Sequence, residues 1–390
     1  MANTLTSLIP TMYEALDEVS RERVGFIPAV SRDSNAERAA LNQSILVPIV
    51  PATTAEADNT PGVTAPDTGD QTIGNVEITI SKSKHIPVRW NGEETRGLLN
   101  AGSYQSVNKD RFKQAFRRLG NLIEVDLASS YKYASRAYGT AGQTPFATAA
   151  SMADFAGVRR ILDDNGAPED DLRLILSNAA MEKLRGVHSE LFKVNEAGTD
   201  EMLRNGMVTR LQGFNIGQSG QVATHTHGTT TDATLTSTDY AVGSTTLTLA
   251  SAGTGTIVEG DMVNIAGENN GIRYGVRTGD ADVSNGGTVV LNNPGLTIAQ
   301  TTNTSVIAPT AANFSANLAF HRSAIQLVTR VPAKPEGGDS ADDVALMVDP
   351  VTGIVFEVAL YRQFLQNVIH VRLAWGWKAI KQEHIAVLLG

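Results

Sequence analysis

The chain has no cysteine, so disulfides, thiolate nucleophiles and thiolate metal sites are excluded. That composition is compatible with assembly in a reducing cytoplasm. No apolar run is long enough to cross a bilayer. The opening MANTLTSLIPTMYEALDEVSRER has neither a basic start nor a small-residue cleavage site, and is not read as a signal peptide. Positive charge is in deficit: 32 Lys and Arg stand against 41 Asp and Glu, a net charge of −9. A sequence-specific DNA binder carries a basic footprint, and the chain as a whole does not. Catalytic signatures are missing too. No Gly-x-Ser-x-Gly elbow occurs, and Gly-rich pieces such as GTGTIVEG lack the Lys-Ser/Thr of a phosphate loop and open no helix. The pairs Asp163-Asp164 and Asp342-Asp343 fall on polar, solvated stretches. His225 and His227, in HTH, have no further His or acid nearby in sequence and read as a linker; His370 and His384 read as sheet-face residues. No catalysis, no cofactor and no metal are expected, and there is no clear tandem repeat.

What is present is organisation. A chain of 390 residues with 42% apolar content can bury a sizeable core and suggests two or three domains. Leu5, Leu8, Ile9, Met12, Leu16 and Val19 keep helical spacing, with Glu14, Asp17 and Glu18 on an acidic opposite face. A short apolar run then dissolves into Thr, Ala, Asp, Pro and Gly, and Pro51 to Gly74 is expected as a mobile extended loop. VEITI (Val76 to Ile80) and IPVRW (Ile86 to Trp90) flank SKSKH and suggest a hairpin, with Pro87 marking an edge strand. A long helix follows, capped by Ser106 and running to about Gly139. Its stripe is Phe112, Ala115, Phe116, Leu119, Leu122, Ile123, Leu127, Tyr131, Ala134 and Tyr138. Met152 to about Asn165 reads as a second helix stopped by NGAP, LRLILS as a buried strand, and NAAMEKLRG as a short helix capped by Asn178.

Near His225 the composition shifts to Thr, Gly, Val and Asn with little charge, and stays so to about Ala312. STTLTLAS, GDMVNIAG, IRYGVRT and GTVVLNN read there as short strands between Gly and Asn turns, a small all-β module. Helical and mixed character returns at NLAFHRSAIQLVTRVP, so the module is inserted in another domain. ALMVDP and IVFEVALYRQ are joined by the turn DPVTG. The chain closes on IHVRLAWGWKAI, apolar at every odd position from Ile369 to Ala379. That is a strand with one buried face, about twice the mean length.

Lys109, Arg111, Lys113, Arg117 and Arg118 crowd the start of the long helix, against its dipole. They read as a solvated face, or as a seat for phosphate or for acidic patches of a partner chain; no aromatics are interleaved to stack bases. The acidic N-terminal helix, the polar loop and the hairpin edge together read as arms reaching for neighbours.

This order of parts resembles the major capsid proteins of tailed bacteriophages, whose fold is shared with herpesvirus capsids, and among them the short-tailed-phage coat proteins with an inserted β-barrel-like domain. ALDEVSRE corresponds to the arm helix, NVEITISKSKHIPVRWNGEETRGLL to the extended-loop hairpin and its return, and KDRFKQAFRRLGNLIEVDLASSYKYA to the spine helix. RNGMVTRLQGFNI, STTLTLAS with VEGDMVNIAG, and NLAFHRSAIQLVTRVPA correspond to the approach, core and exit of the insertion. The resemblance implies an α+β fold with these parts: N-terminal arm 1–50, extended loop hairpin 51–99, peripheral-domain spine helix 100–140, axial domain 141–224 and 313–360, inserted β domain 225–312, and closing peripheral strand 361–390.

It also implies a non-enzymatic subunit that self-assembles, as hexamers and pentamers, into an icosahedral shell around double-stranded DNA. A scaffolding protein and a portal are the implied partners, contacts with packaged DNA are non-specific, and no membrane is involved. The implied location is the virion, after assembly in the host cytoplasm. On that map Asp17, Glu18, Lys82, Lys84 and Arg89 are candidate inter-subunit or scaffold contacts. Lys109, Arg111, Lys113, Arg117 and Arg118 are a candidate inner-surface basic cluster, and Trp375, Trp377, Phe112 and Phe116 are structural core, with both tryptophans against the spine helix. The other reading is a phage surface or tail-associated carbohydrate-binding protein. It needs exposed aromatics in the module, which has Tyr240 and Tyr274.

Overall fold

The computed structural model describes residues 9–20, 24–49, 61–62, 73–100, 104–149, 151–188, 208–236, 239–265, 271–300 and 307–390, with backbone alone at 9 and 17–20. Most of the stretch expected as a mobile loop therefore lies outside the described residues. The helices are α1 (Ile9–Ser20), α2 (Phe26–Ala29), α3 (Gly92–Asn100), α4 (Tyr104–Ala128), α5 (Ala153–Asp164) and α6 (Asn178–Val187). The strands begin with β1 (Ser31–Ala39), β2 (Ser44–Ile49), β3 (Gly74–Thr79), β4 (Lys82–Asn91), β5 (Arg136–Tyr138), β6 (Leu172–Leu176), β7 (Arg210–Leu211), β8 (Phe214–Gln218) and β9 (Thr224–His225). Those of the Thr/Gly-rich region are β10 (Thr246–Leu249), β11 (Met262–Ile265), β12 (Ile272–Thr278), β13 (Gly287–Leu291) and β14 (Ile307–Pro309). The chain finishes on β15 (Phe314–His321), β16 (Ile325–Pro332), β17 (Asp343–Val348), β18 (Val355–Gln363), β19 (Gln366–Ala379) and β20 (Ile385–Leu389). No helix among the described residues is long and apolar enough to cross a membrane.

Two sheets and a ribbon organise these strands. The first sheet has the order β1-β16-β19-β18-β17, with β4 against the other edge of β19. The second runs β10-β13-β12-β5-β20-β15-β6-β8-β7, with β11 joining β12 to β14 and β9 on β15. β2 and β3 form the ribbon, and among the described residues they pair only with each other.

The helix α4 spans the first sheet. Phe112, Ala115, Phe116, Leu119, Ile123 and Leu127 fall at three- and four-residue steps and are all buried. They meet Phe356, Val358, Ile369, Val371, Leu373 and Trp375 in one core. Phe116 and Phe356 pack edge-on with centroids 5.2 Å apart. The second core lies between α5, α6 and the second sheet, from Phe155 and Ile161 to Leu174, Met181 and Phe214. The third belongs to the inserted module alone: Leu235, Leu247, Val263, Val276, Val289 and Ile307.

Several expectations are corrected. β3 and β4 are not a hairpin: β3 pairs with β2, while β4 runs along β19 from Lys82 opposite Trp375 to Asn91 opposite Gln366. Period-two alternation gives a strand its faces, not its partner. Pro87 sits on β4, which pairs on one side only, as a strand proline should. NGEETRGLL is helical, started by a reciprocal cap in which Asn91 Oδ1 accepts the Glu94 amide at 2.7 Å and Glu94 accepts the Asn91 amide at 3.2 Å.

The spine helix begins at Tyr104, so Ser106 lies inside it, and it stops at Ala128 rather than near Gly139. Ser129 Oγ donates to the Asp126 carbonyl at 2.6 Å, and a 3₁₀ turn covers Ser129–Tyr133. The cap of α6 is Ser177, whose hydroxyl accepts the Ala180 amide at 3.2 Å, not Asn178. α5 ends as expected: Gly166 at φ 70° lets its amide reach the Asp163 carbonyl and that of Ala167 reach Leu162. The segment expected to return as helical is two strands, β15 and β16, joined by a 3₁₀ turn at Arg322–Ala324.

The closing strand β19 has both faces covered over its second half. Val371, Leu373 and Trp375 face α4, while Ala374 lies under Ile78 and Ile80 at the foot of the ribbon. Gly376 explains how: a Cβ there would stand 2.1 Å from the Thr79 carbonyl oxygen, so only glycine admits the ribbon this close. The module is not closed off from its host either. Ile272, Arg273 and Tyr274 of β12 pair with Tyr138, Ala137 and Arg136 of β5, so one sheet runs through both.

Candidate assembly interface

The spine helix anchors the N-terminal arm helix. α1 lies along α4 with Met12, Ala15 and Leu16 buried, and Glu14 bonds Lys109 at 2.6 Å. One acid of the arm helix thus meets a basic stripe of its own chain. Lys113 and Arg117 continue that stripe at four-residue steps and neither is free. Asp17 and Glu18 belong to the last turns of α1, and their side chains lie outside the described residues. Arg111 points elsewhere: it donates to the Arg89 carbonyl at 2.9 Å and lies 4.3 Å over the Trp90 ring. Arg118, seven residues on, is exposed. The five cations are therefore two stripes rather than one cluster, and the first has an internal counter-charge.

The β4 candidates also part company. Lys82 and Lys84 share the face of Val88 and Trp90, whereas Arg89 is on the opposite face. Lys82 ion-pairs with Asp126 of α4, and Trp375 Nε1–H donates to the other oxygen of the same carboxylate at 2.8 Å. Lys84 and Arg89 are exposed. Trp375, Phe112 and Phe116 are buried at 0–1% exposure, while Trp377 is half-buried with its ring edge-on to Tyr133.

Three buried polar constellations escaped the sequence. The first is Glu124 on α4, 2% exposed. It accepts the amides of Gly25, Phe26 and Ile27 at 3.2, 3.1 and 2.7 Å and the Ser219 hydroxyl at 2.8 Å, strapping the start of α2 and the second sheet to the spine. Burial pushes its carboxyl above the usual range, against the pull of the four donors. Its signal was legible: Glu124 stands eight residues after Phe116 and three before Leu127, an acid inside the apolar stripe.

The second constellation joins the module to the spine. His225 Nε2–H donates to Asp261 at 2.8 Å, which leaves Nδ1 to accept from the Tyr131 hydroxyl at 2.9 Å. Asp261 also accepts the Gly228 and Val258 amides. Burial, then Glu259 and Asp261, push the Tyr131 hydroxyl up to about 12. His225 is thus a fully partnered core histidine at the junction. No group of three or more possible metal ligands occurs among the described residues.

The third lies on the sheet face away from α4. Fully buried Glu357 takes Arg38 and, at 3.6 Å, Arg372. Arg372 reaches Asp339 at 2.9 Å, and the Tyr361 hydroxyl donates to that same carboxylate, which the bond holds below its usual range. Beside them His85 and His370 stack at 4.7 Å; burial, then His85 and Arg372, hold His370 low. His384 is not on a sheet face but in the short turn before β20, buried.

The module's two tyrosines are core residues. Tyr240 is bonded to Thr236 and Thr248, and Tyr274 to Thr297. Neither presents a ring for stacking a sugar. Apolar side chains are exposed instead at Leu46 on the ribbon (58%), at Ile73 just before β3 (59%), and at the β18–β19 turn, Phe364 and Leu365 (89% and 75%).

No protein-family model matches the chain, and no curated protein matches it. Among solved structures, the chain is similar to the capsid of cyanophage P-SCSP1u at 11% identity and TM-score 0.47, over 94% of this chain and 88% of that one. It is similar to the mature capsid of bacteriophage PhiM1 at 11% and TM-score 0.44, over 94% and 86%. It is similar to the virus-like particle from Pyrococcus furiosus at 12% and TM-score 0.45, over 98% and 99%.

Proposed function

We propose that this chain is a shell subunit of the tailed-phage type, a structural protein that self-assembles as hexamers and pentamers into a closed icosahedral shell around double-stranded DNA. The observation that supports this best is the β2–β3 ribbon. Among the described residues it pairs only with itself, leaving both outer edges open. Its foot is pinned by the Asn42 amide on the Ile80 carbonyl and the Ile80 amide on the Gln43 carbonyl, both 2.9 Å. Farther out, Leu46 is exposed. A two-stranded ribbon is marginal alone, and an open apolar edge is where another chain pairs.

The body behind the ribbon suits the same role. α4 is tied to the arm by Lys109–Glu14, to β4 and β19 by Asp126, and to the second sheet by Glu124. Stiff bodies joined by adaptable arms let one chain occupy both five- and sixfold settings. A scaffolding protein and a portal are the partners such assembly calls for, and DNA contacts would be phosphate-directed and salt-dependent. The subunit would reside in the virion, after assembly in the host cytoplasm. Light scattering of the purified chain over protein concentration and salt, with and without scaffold, tests the reading. Large closed particles are expected; a monomer under every condition would overturn it.

A further inference from the structure

We infer that His321 and His384 form a proton-operated latch on the seam between the two sheets, holding it while both rings are neutral and loosening it once they are charged. The inference stands on the seam's own geometry and is independent of the shell reading. Two connections cross there side by side. β15 leaves the second sheet through the turn Arg322–Ala324 and enters the first as β16. β19 leaves the first through the turn Gln382–His384 and enters the second as β20. On one side of the turns β15 pairs with β20 up to Phe320 opposite Ile385; on the other β16 pairs with β19 from Ile325 opposite Ala379. Between these ends neither ladder continues. The Ala324 carbonyl joins the two connections by accepting the Ile380 and Lys381 amides at 2.8 and 3.3 Å, and Asn165 Nδ2 donates to the Glu383 carbonyl at 2.6 Å.

His321 caps the first turn with its ring. Its Nδ1 accepts the Ser323 amide at 3.3 Å and lies 2.8 Å from the Ser323 hydroxyl. An amide only donates, so Nδ1 is the unprotonated nitrogen and the proton sits on Nε2. That Nε2 is buried without a hydrogen bond, and so is Nδ1 of His384. The two rings stand edge to face with centroids 6.4 Å apart, and His384 is 7% exposed. Buried polar atoms normally find partners, so facing imidazoles with an orphaned nitrogen on each are poised to respond to a proton. A proton on Nδ1 of His321 ends its acceptance of the Ser323 amide and removes the cap. Charging both rings sets like charges against each other where water is largely excluded.

The surrounding charges offset this only in part. Asp170, in the loop before β6, is 3.9 Å from His321 Nε2 but 88% exposed, so water screens it. Asp171 beside it is taken by Arg173 of β6 and, at 3.5 Å, by Arg322. Arg322 is itself a cation on the capped turn, and Arg32 of β1 lies within its field. Burial, first, holds His384 below its ordinary 6.5; Glu383 of its own turn pulls the other way, and Lys381 and His321 add to the lowering. The contribution of neutral His384 is therefore full above that value and is lost as pH falls through the lowered one.

Hydrogen exchange of the full chain, read by mass spectrometry at about pH 7.5 and about pH 5.5 with times scaled for the intrinsic rate, tests the latch. Peptides covering 321–325 and 380–385 are expected to lose about fivefold in protection in acid, the worth of one cap. Peptides covering β12 and β13 of the module should keep theirs. His321→Asn supplies a side-chain acceptor that does not titrate in this range, and should keep the first turn protected in both samples. His321→Ala should expose that turn already in the neutral sample. Equal protection of the parent in both samples, His321→Asn that still opens in acid, or His321→Ala as protected as the parent would each overturn the latch. So would an acid loss that spreads to the module, which would mark general unfolding.

Discussion

Replacing Trp375 with alanine removes the side chain that binds the closing strand to the spine helix. The ring is 0% exposed and its Nε1–H bonds Asp126 at 2.8 Å. Truncation of a buried Trp costs about 3–5 kcal/mol through lost burial and the cavity left behind. Loss of a hydrogen bond to a charged group adds up to about 1.5–3 kcal/mol elsewhere. Here Asp126 keeps Lys82 and its side chain is 12% exposed, so the addition belongs at the low end. Trp375→Phe keeps most of the volume and loses the bond, and should cost about 1–2 kcal/mol. Urea unfolding followed by far-ultraviolet circular dichroism is the assay, because three tryptophans share the fluorescence. At a slope of about 3 kcal/mol per M, the alanine midpoint falls by about 1 M or more and the phenylalanine midpoint by roughly half that. An alanine midpoint within about 0.2 M of the parent would refute the packing of β19 on α4.

Glu124→Ala leaves the amides of Gly25, Phe26 and Ile27 without their acceptor, and should cost about 3 kcal/mol or more by the same unfolding assay; a neutral result would mean that water replaces the carboxylate. Acidification should destabilise the chain through His370, whose proton affinity in the fold is held below its ordinary 6.5, so that its contribution is full above that pH and is lost as pH falls through the lowered value. His370→Asn should flatten the change in midpoint between about pH 7.5 and about pH 5.5, and an unchanged pH dependence would count against it. A fragment of residues 222–314 keeps the module's own core but loses the β5 partner of β12; it is expected to give a dispersed proton–nitrogen correlation spectrum, and a collapsed one would mean these strands hold only against the host sheet.

Local patterns announced the elements well. The three- and four-residue spacing from Phe112 to Leu127 names the buried face of α4, and the alternation from Ile369 to Trp375 names the face of β19 that meets it. The short strands STTLTLAS, GDMVNIAG and GTVVLNN stand where β10, β11 and β13 do. Pairing was not legible, because it is set by residues far apart in sequence. β3 and β4 are neighbours in the chain yet pair with β2 and β19, and the second burying face of β19 exists only because Thr79 presses on Gly376. Tyr131 and Ala134 fit a continuing helical stripe, and both are buried, but Tyr131 is turned toward His225 and Phe314 after the helix has ended. Charge was harder still. The row Lys109, Lys113, Arg117 looked open because the partner of its first member, Glu14, stands 95 residues earlier in the chain.

Electron microscopy of the purified chain, alone and with scaffold, tests the central claim most directly. Closed shells of uniform size built from five- and sixfold clusters are the predicted result, whereas monomers or shapeless aggregates under every assembly condition would contradict it.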